Sequence, residues 1–215
     1  MTVRDKMNEF LAADIYGITA SELSHGRGNA AVVNAMIEAG VKVIQYREKN
    51  MTPRDMYAEC LVLREMTRMA GVLFIINDSI DLALAVAADG VHVGQDDLPV
   101  GVVRRLVGES MLVGLSTHNL NQVAQAEAEG FADYIGMGPV YATATKPDAA
   151  AVVGIDMVRC AATQTRLPVV AIGGITADNI APVKEAGASL FAVVSSIVSA
   201  DDIGAAVRDI RSRLG

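Results

Sequence analysis

Short runs of apolar residues alternate along this chain with longer segments whose apolar positions recur every three or four residues. The first pattern is that of strands buried on both faces, and the second that of amphipathic helices. The pattern predicts strands at 15–19, within 41–49, and at 72–76, 90–94, 111–115, 134–138, 168–172 and 190–194. Helices are predicted at 30–39, 52–70, 79–87, 99–107, 119–129, 154–166, 176–186 and 201–214, after an amphipathic lead-in at 1–13. Gly40, Gly71, Gly130 and Gly187 follow helix ends, where glycine readily takes the left-handed conformation that stops a helix. Thr52-Pro53 starts a helix in the reverse sense, with threonine as cap and proline at the first helical position. Thr176 is the expected cap of the helix that follows the seventh strand.

Eight strand–helix alternations with no linker-like gap predict an α/β chain folded as one domain over 1–215, a single (β/α)8 TIM barrel. An open doubly wound sheet is the competing architecture, but no strand–turn–helix here carries G-x-G-x-x-G.

Composition agrees with the barrel. The chain has 215 residues, 52% of them hydrophobic, with a mean hydropathy of +0.34. Only 4% are aromatic and none is Trp, so the core must be aliphatic. The net charge of -7 argues against a general nucleic-acid or membrane-surface binder. It does not exclude anionic small ligands, because a few local cations overrule a global sign. Cys60 and Cys160 fall in predicted helices without metal-ligand spacing, and are expected as buried, reduced thiols. The N-terminal residues have no signal-peptide pattern, and no run reaches the length of a membrane span. Cytoplasm is therefore the expected location, and homo-oligomerisation is left open.

In this architecture, chemistry collects at the C-terminal ends of the strands. Strand two ends in Gln45-Tyr46-Arg47-Glu48-Lys49. Alternation puts Gln45, Arg47 and Lys49 on one face and Tyr46 and Glu48 on the other. An amide, a guanidinium and an ammonium aimed the same way form a seat for an anion, although charged residues also solvate strand ends. Strands three and four end at Asn77-Asp78 and Asp97. The two carboxylates suit Mg²⁺, which takes one or two carboxylates together with waters and phosphate oxygens. Each would equally serve as a cap for the helix that follows it. Ser116 ends strand five, and Thr143, Thr145 and Lys146 lie in the long sixth loop. Gly173-Gly174 and Ser195-Ser196 follow strands seven and eight, where barrels often bind phosphate through backbone N–H groups. His92 reads as a satisfied core residue and His25 as solvated. His118 has no triad around it.

These segments resemble the thiamine-phosphate synthase family. Gln45-Tyr46-Arg47-Glu48-Lys49 resembles its Q-x-R-x-K motif. Ile76-Asn77-Asp78 and Asp81-Leu82-Ala83-Leu84 follow in order, then the stretch from Gly90 to Pro99 and Gly114-Leu115-Ser116-Thr117-His118. Asp133 to Tyr141 leads into Thr143-x-Thr145-Lys146, and Ala171 to Ile175 and Ala192 to Ser195 complete the set. The resemblance implies a transferase that joins an aminopyrimidine methyl diphosphate to a thiazole phosphate, plain or carboxylated. It would release pyrophosphate and make thiamine phosphate with Mg²⁺ as cofactor. Carried over by motif, Gln45, Tyr46, Arg47, Glu48, Lys49, Asn77, Ser116 and Lys146 would hold the pyrimidine diphosphate. Asp78 and Asp97 would hold the metal. Thr143, Ala144, Thr145, Gly174, Val194 and Ser195 would hold the thiazole phosphate. The implied substitution is largely dissociative and needs no strong base, with Arg47, Lys49, Ser116 and Lys146 as the expected catalytic groups.

Two departures stand out: Thr19-Ala20, where the family often has an acid after the threonine, and the bland loop 148–153. A thiazole tautomerase and a non-catalytic phosphate sensor are the rival readings. Neither has use for paired metal carboxylates beside a diphosphate seat.

Overall fold

The computed structural model of the chain describes residues 2–143, 145 and 151–215. Eight parallel strands pair in sequence order and close β8 back onto β1: β1 (Ile15–Ile18), β2 (Val43–Tyr46), β3 (Leu73–Asn77), β4 (Gly90–Val93), β5 (Leu112–Thr117), β6 (Tyr134–Met137), β7 (Val169–Ile172) and β8 (Leu190–Val193). Ten helices surround or close this barrel among the described residues: α1 (Val3–Leu11), α2 (Gly28–Glu38), α3 (Pro53–Ala70), α4 (Ile80–Ala85), α5 (Val100–Val107), α6 (Leu120–Glu129), α7 (Ile155–Gln164), α8 (Ile180–Glu185), α9 (Ser195–Val198) and α10 (Ile203–Leu214).

Strand alternation divides the core in two. Outward-facing residues such as Ile44, Phe74, Ile76, Val91, Val93, Val113 and Ile135 pack against the helix ring. Tyr16, Val43, Leu73, Ile75, Leu112, Tyr134, Val170 and Leu190 fill the barrel interior. The lead-in is a full helix, opened by a capping box between Thr2 and Asp5. Its Phe10 closes the lower end of the barrel, with ring centroids 4.5 Å from Tyr134 and 6.0 Å from Tyr16. Helix α3 keeps its expected ends: Thr52 Oγ1 accepts from the Asp55 N–H at 3.3 Å, and Gly71 turns left-handed at φ 60°.

Four local expectations are corrected. Strand β5 extends through Thr117, so Ser116 lies within the strand rather than beyond it. Thr176 does not cap α8; Asn179 precedes the helix, and its Oδ1 accepts from the Thr176 N–H at 2.8 Å. The asparagine ties down a turn after the two glycines and delays the helix start by a full turn. Cys160 is exposed on α7, whereas Cys60 is buried in α3, with its thiol pushed up to about 12 by burial. Helical alternation that places Val158 and Ala161 inward turns Cys160 outward. Gly28 rather than residue 30 begins α2.

Candidate active site

Above Tyr16 and Tyr134 the barrel opens at its C-terminal end into a cavity of about 170 Å³. Strands β2 to β5 supply Gln45, Arg47, Asn77, His92 and Ser116 to its wall. Thr143, Thr145, Gly173, Gly174, Val194 and Ser195 border it from the other side. Residues separated by 150 positions in sequence meet here because every strand ends at the same rim.

The end of β2 is pinned from both sides. Thr19 Oγ1 accepts from the Arg47 N–H at 2.9 Å, which holds the strand against the end of β1. Behind the strand, Glu48 accepts from the Ser21 N–H and hydroxyl, at 3.1 and 2.8 Å, and from the Asn29 amide at 2.8 Å. Tyr46 donates its hydroxyl to Glu59 of α3 at 2.7 Å. Burial and that carboxylate raise the Tyr46 phenol well above its ordinary range. Tyr46 and Glu48 thus point toward the helices, away from the cavity. Their side chains anchor the strand from behind, and Gln45 and Arg47 are the side chains of this motif that line the cavity. Alternation accounts for this, since every second residue of a barrel strand faces outward. Arg47 lines the cavity and has no acidic partner among the described residues.

Lys49 reaches Asp78 at 2.7 Å; the lysine is exposed and the aspartate half-buried. Asp78 adopts φ 60°, a left-handed conformation uncommon outside glycine and most accessible to asparagine and aspartate. Its N–H donates to the His92 carbonyl at 2.9 Å, so the carboxylate stands beside the end of β4. Asp97 Oδ2 accepts from the Gly94 N–H at 2.7 Å and folds the turn after β4. Neither carboxylate caps a helix: no side-chain bond is made to the start of α4 or α5. Their Oδ1 atoms accept no hydrogen bond among the described residues. Those residues contain no group of three or more His, Cys, Asp or Glu suited to a metal.

The cavity floor holds residues whose site role the sequence did not expose. Gln45 Nε2 donates to Tyr16 Oη at 2.8 Å, and Tyr16 Oη lies 2.9 Å from Tyr134 Oη. His92 bridges Tyr134 Oη at 3.2 Å and Ser116 Oγ at 3.0 Å. His92 is the satisfied histidine that was expected, yet it also forms part of the cavity wall. Burial lowers it to about 4, which keeps the ring neutral. A Cβ at Gly114 would come within 2.3 Å of both His92 and Tyr134, so glycine there is what lets the two side chains meet. The strand period held a signal for this: His92 is two residues from Gly90 and Gly94 on the inward face. His118 also lines the cavity, with Nδ1 2.6 Å from the Gly138 carbonyl. A carbonyl only accepts, so Nδ1 carries the proton there. His25 is exposed, as expected.

On the opposite side, Gly173 and Gly174 have φ 102° and 63°. A Cβ at Gly174 would sit 2.5 Å from the Ala142 carbonyl. Ser195 opens the short helix α9 directly after β8. Thr143 Oγ1 accepts from the Thr145 N–H at 3.2 Å. Ala144 and Lys146 lie outside the described residues. No helix among the described residues is long and apolar enough to cross a membrane.

Comparison with known proteins finds relatives along almost the whole chain. The family model described as thiamine monophosphate synthase matches residues 15–197. A thiamine-phosphate synthase of Pelotomaculum thermopropionicum is 55% identical over 99% of this chain and 97% of its own length. One from Chloroflexus aurantiacus is 52% identical over 92% of this chain and 91% of its own. A solved thiamine phosphate pyrophosphorylase from Pyrococcus furiosus superposes with a TM-score of 0.86 at 36% identity, covering 94% of this chain and 95% of that one. The chain belongs to the thiamine monophosphate synthase family, and with it to the transferases of thiamine biosynthesis.

Proposed function

We propose that the wall from β2 to β5 holds an aminopyrimidine methyl diphosphate and the rim from β6 to β8 a thiazole phosphate, which are joined to give thiamine phosphate and pyrophosphate. The observation that carries this division is the placement of Arg47: it lines the cavity beside Gln45, Asn77 and Ser116, with no acidic partner among the described residues. A guanidinium left open in a cavity is suited to phosphate oxygens, which it can bind through two N–H groups. Gly174, Val194 and Ser195, with Thr143 and Thr145, border the same cavity from the other side. There, glycine brings backbone N–H groups close to an anion, as barrels do at strands seven and eight.

Asp78 and Asp97 would hold Mg²⁺. The donor set fits: two hard carboxylates at adjacent strand ends, each with one oxygen already engaged and the other available. Mg²⁺ takes its remaining ligands from waters and phosphate oxygens. Bound there, the metal would neutralise charge on the diphosphate.

The reaction breaks the bond between the pyrimidine methylene and the diphosphate oxygen and forms one from that methylene to the thiazole nitrogen. The electron pair of the broken bond leaves with pyrophosphate. Arg47 and Lys49 stabilise that departing charge, and Lys146 is assigned the same task by its motif position. No residue must remove a proton, so the His92–Ser116 pair in the cavity wall is not needed as a general base. The floor and walls orient the aminopyrimidine and keep water from its electron-poor methylene.

Incubating the protein with both substrates and Mg²⁺ is expected to yield equal amounts of pyrophosphate and thiamine phosphate. Folded protein with no product above blank would overturn the proposal. Asp78→Asn and Asp97→Asn are each expected to lower turnover and raise the Mg²⁺ needed, while the melting temperature stays near that of the parent. Asparagine is the better probe at 78 because it tolerates the left-handed backbone.

A further inference from the structure

Gln45, Tyr16, Tyr134, His92 and Ser116 form an unbroken hydrogen-bonded row across the barrel floor, from β2 to β5. Proton counting gives this row a direction. Each hydroxyl has one proton to donate, and a neutral imidazole donates from one nitrogen and accepts at the other. Tyr16 and Tyr134 are buried, so each hydroxyl proton must find an acceptor within the row; Gln45 Nε2 can only donate, which leaves Tyr134 Oη as the acceptor for the Tyr16 proton. Tyr134 must then send its proton to His92 Nδ1. With Nδ1 accepting, the imidazole proton lies on Nε2 and is donated to Ser116 Oγ. Both ring nitrogens face hydroxyls, so no carboxylate competes for that proton.

We propose that this row is a polarised relay, set by the Gln45 amide, that makes Ser116 present its hydroxyl proton to the cavity. Tyr16, Tyr134 and His92 are then positioning residues that act through Ser116. Gln45 lines the cavity as well, and its Oε1 is not among the buried atoms left without a partner. The floor therefore offers an acceptor at Gln45 and a donor at Ser116. That pairing suits a flat heteroaromatic ring with an amino group on one edge and a ring nitrogen on another. The ligand assignment rests on the pyrimidine placement proposed above; the relay itself does not.

The two polarities of the row are distinct states. Were the Gln45 amide turned over, every bond would reverse, His92 would carry its proton on Nδ1, and Ser116 would present a lone pair. Only one state suits an acceptor on the ligand. A row of hydrogen bonds of this kind switches as a unit, because each group polarises the next.

Nitrogen-15 NMR of histidine-labelled protein tests the relay directly, with the His92 signals identified by their loss in His92→Gln. The expected result at neutral pH is a proton-bearing Nε2 and a bare, hydrogen-bonded Nδ1, unchanged in Ser116→Ala. A proton on Nδ1, or an even mixture of the two forms, would overturn the proposal. Tyr134→Phe removes the middle link while keeping the ring. It is expected to abolish the hydrogen-bonded shift at Nδ1 and to raise KM for the pyrimidine diphosphate about tenfold, with KM for the thiazole phosphate unchanged. Equal change in both KM values, or none in either, would overturn the link to the ligand. If Tyr134→Phe does not fold, the tautomer in the unmutated protein decides. A protein that made no thiamine phosphate yet showed the expected tautomer would fail the functional assignment and keep the relay.

Discussion

From β2 to β5 the cavity is lined by side chains that carry charge or hydrogen-bonding groups: Gln45, Arg47, Asn77, His92 and Ser116. From β6 to β8 it is lined by Gly136, Gly138, Gly173 and Gly174 together with Val170, Ile172 and Ala192, and its hydrogen-bonding side chains are the hydroxyls of Thr143, Thr145 and Ser195. The first half is held by hydrogen bonds to hydroxyls and amides, and the second by close backbone approach. A Cβ at Gly138 would meet the Ile172 carbonyl at 2.1 Å, and one at Gly173 would meet the Pro139 Cα at 2.5 Å. Charge on a flexible stem can follow a leaving group as it departs. Backbone N–H groups at glycine turns are fixed in place and suit a phosphate that stays attached. The division of labour in the proposed reaction therefore follows from how each half is built.

The contrast is broken most severely at Arg47. Arg47→Ala is expected to cut kcat by roughly 10²–10³, the usual cost of removing one preorganised electrostatic contact. Its KM for the thiazole phosphate should barely move. Steady-state kinetics with each substrate varied in turn measures both effects, and a loss spread equally over the two substrates would dissolve the proposed division.

Gly174→Ala attacks the other half. The new methyl group would crowd the Ala142 carbonyl at a position with φ 63°. KM for the thiazole phosphate is expected to rise on the order of tenfold through displacement of the turn. The apparent affinity for the pyrimidine diphosphate should stay within about twofold on the same estimate. Isothermal titration with each substrate alone gives the comparison.

The smallest effect concerns stability and sharpens the picture of the floor. His92 ordinarily titrates near 6.5, and burial lowers it to about 4 in the folded chain. Between those two values the unfolded chain binds a proton that the folded one refuses. Stability due to His92 is therefore full above pH 6.5 and lost as pH falls toward 4. Urea unfolding midpoints at pH 7 and pH 5 should differ less in His92→Gln than in the parent. An equal difference in both would show that the imidazole is not held neutral.

Much of the architecture was legible in short-range pattern. The alternation of apolar runs with amphipathic segments, punctuated by Gly71 and Gly130, reports directly on local geometry. The expected strands and helices accordingly fall close to where they lie. The misplaced start of α8 has a local cause of another kind: Asn179 bonds back to Thr176 and Gly174 and competes with the helix for its first turn. Cys160 shows the limit of composition, since a helix position is buried by its neighbours and not by its residue type.

The sequence alone determined that the chain is a closed β/α alternation and that Gln45, Arg47, Asn77 and Ser116 stand on one side of a site whose glycine turns lie on the other. It could do so because strand period, turn chemistry and the rim rule of the barrel act over a few residues. Only the tertiary structure decided that Tyr46 and Glu48, on the face opposite Arg47, are held by Glu59, Ser21 and Asn29, and that Tyr16, Tyr134 and His92 connect Gln45 to Ser116. These contacts join residues between 13 and 118 positions apart. They exist because barrel closure brings alternate inward-facing side chains into one layer, and Gly114 leaves the space in which they meet.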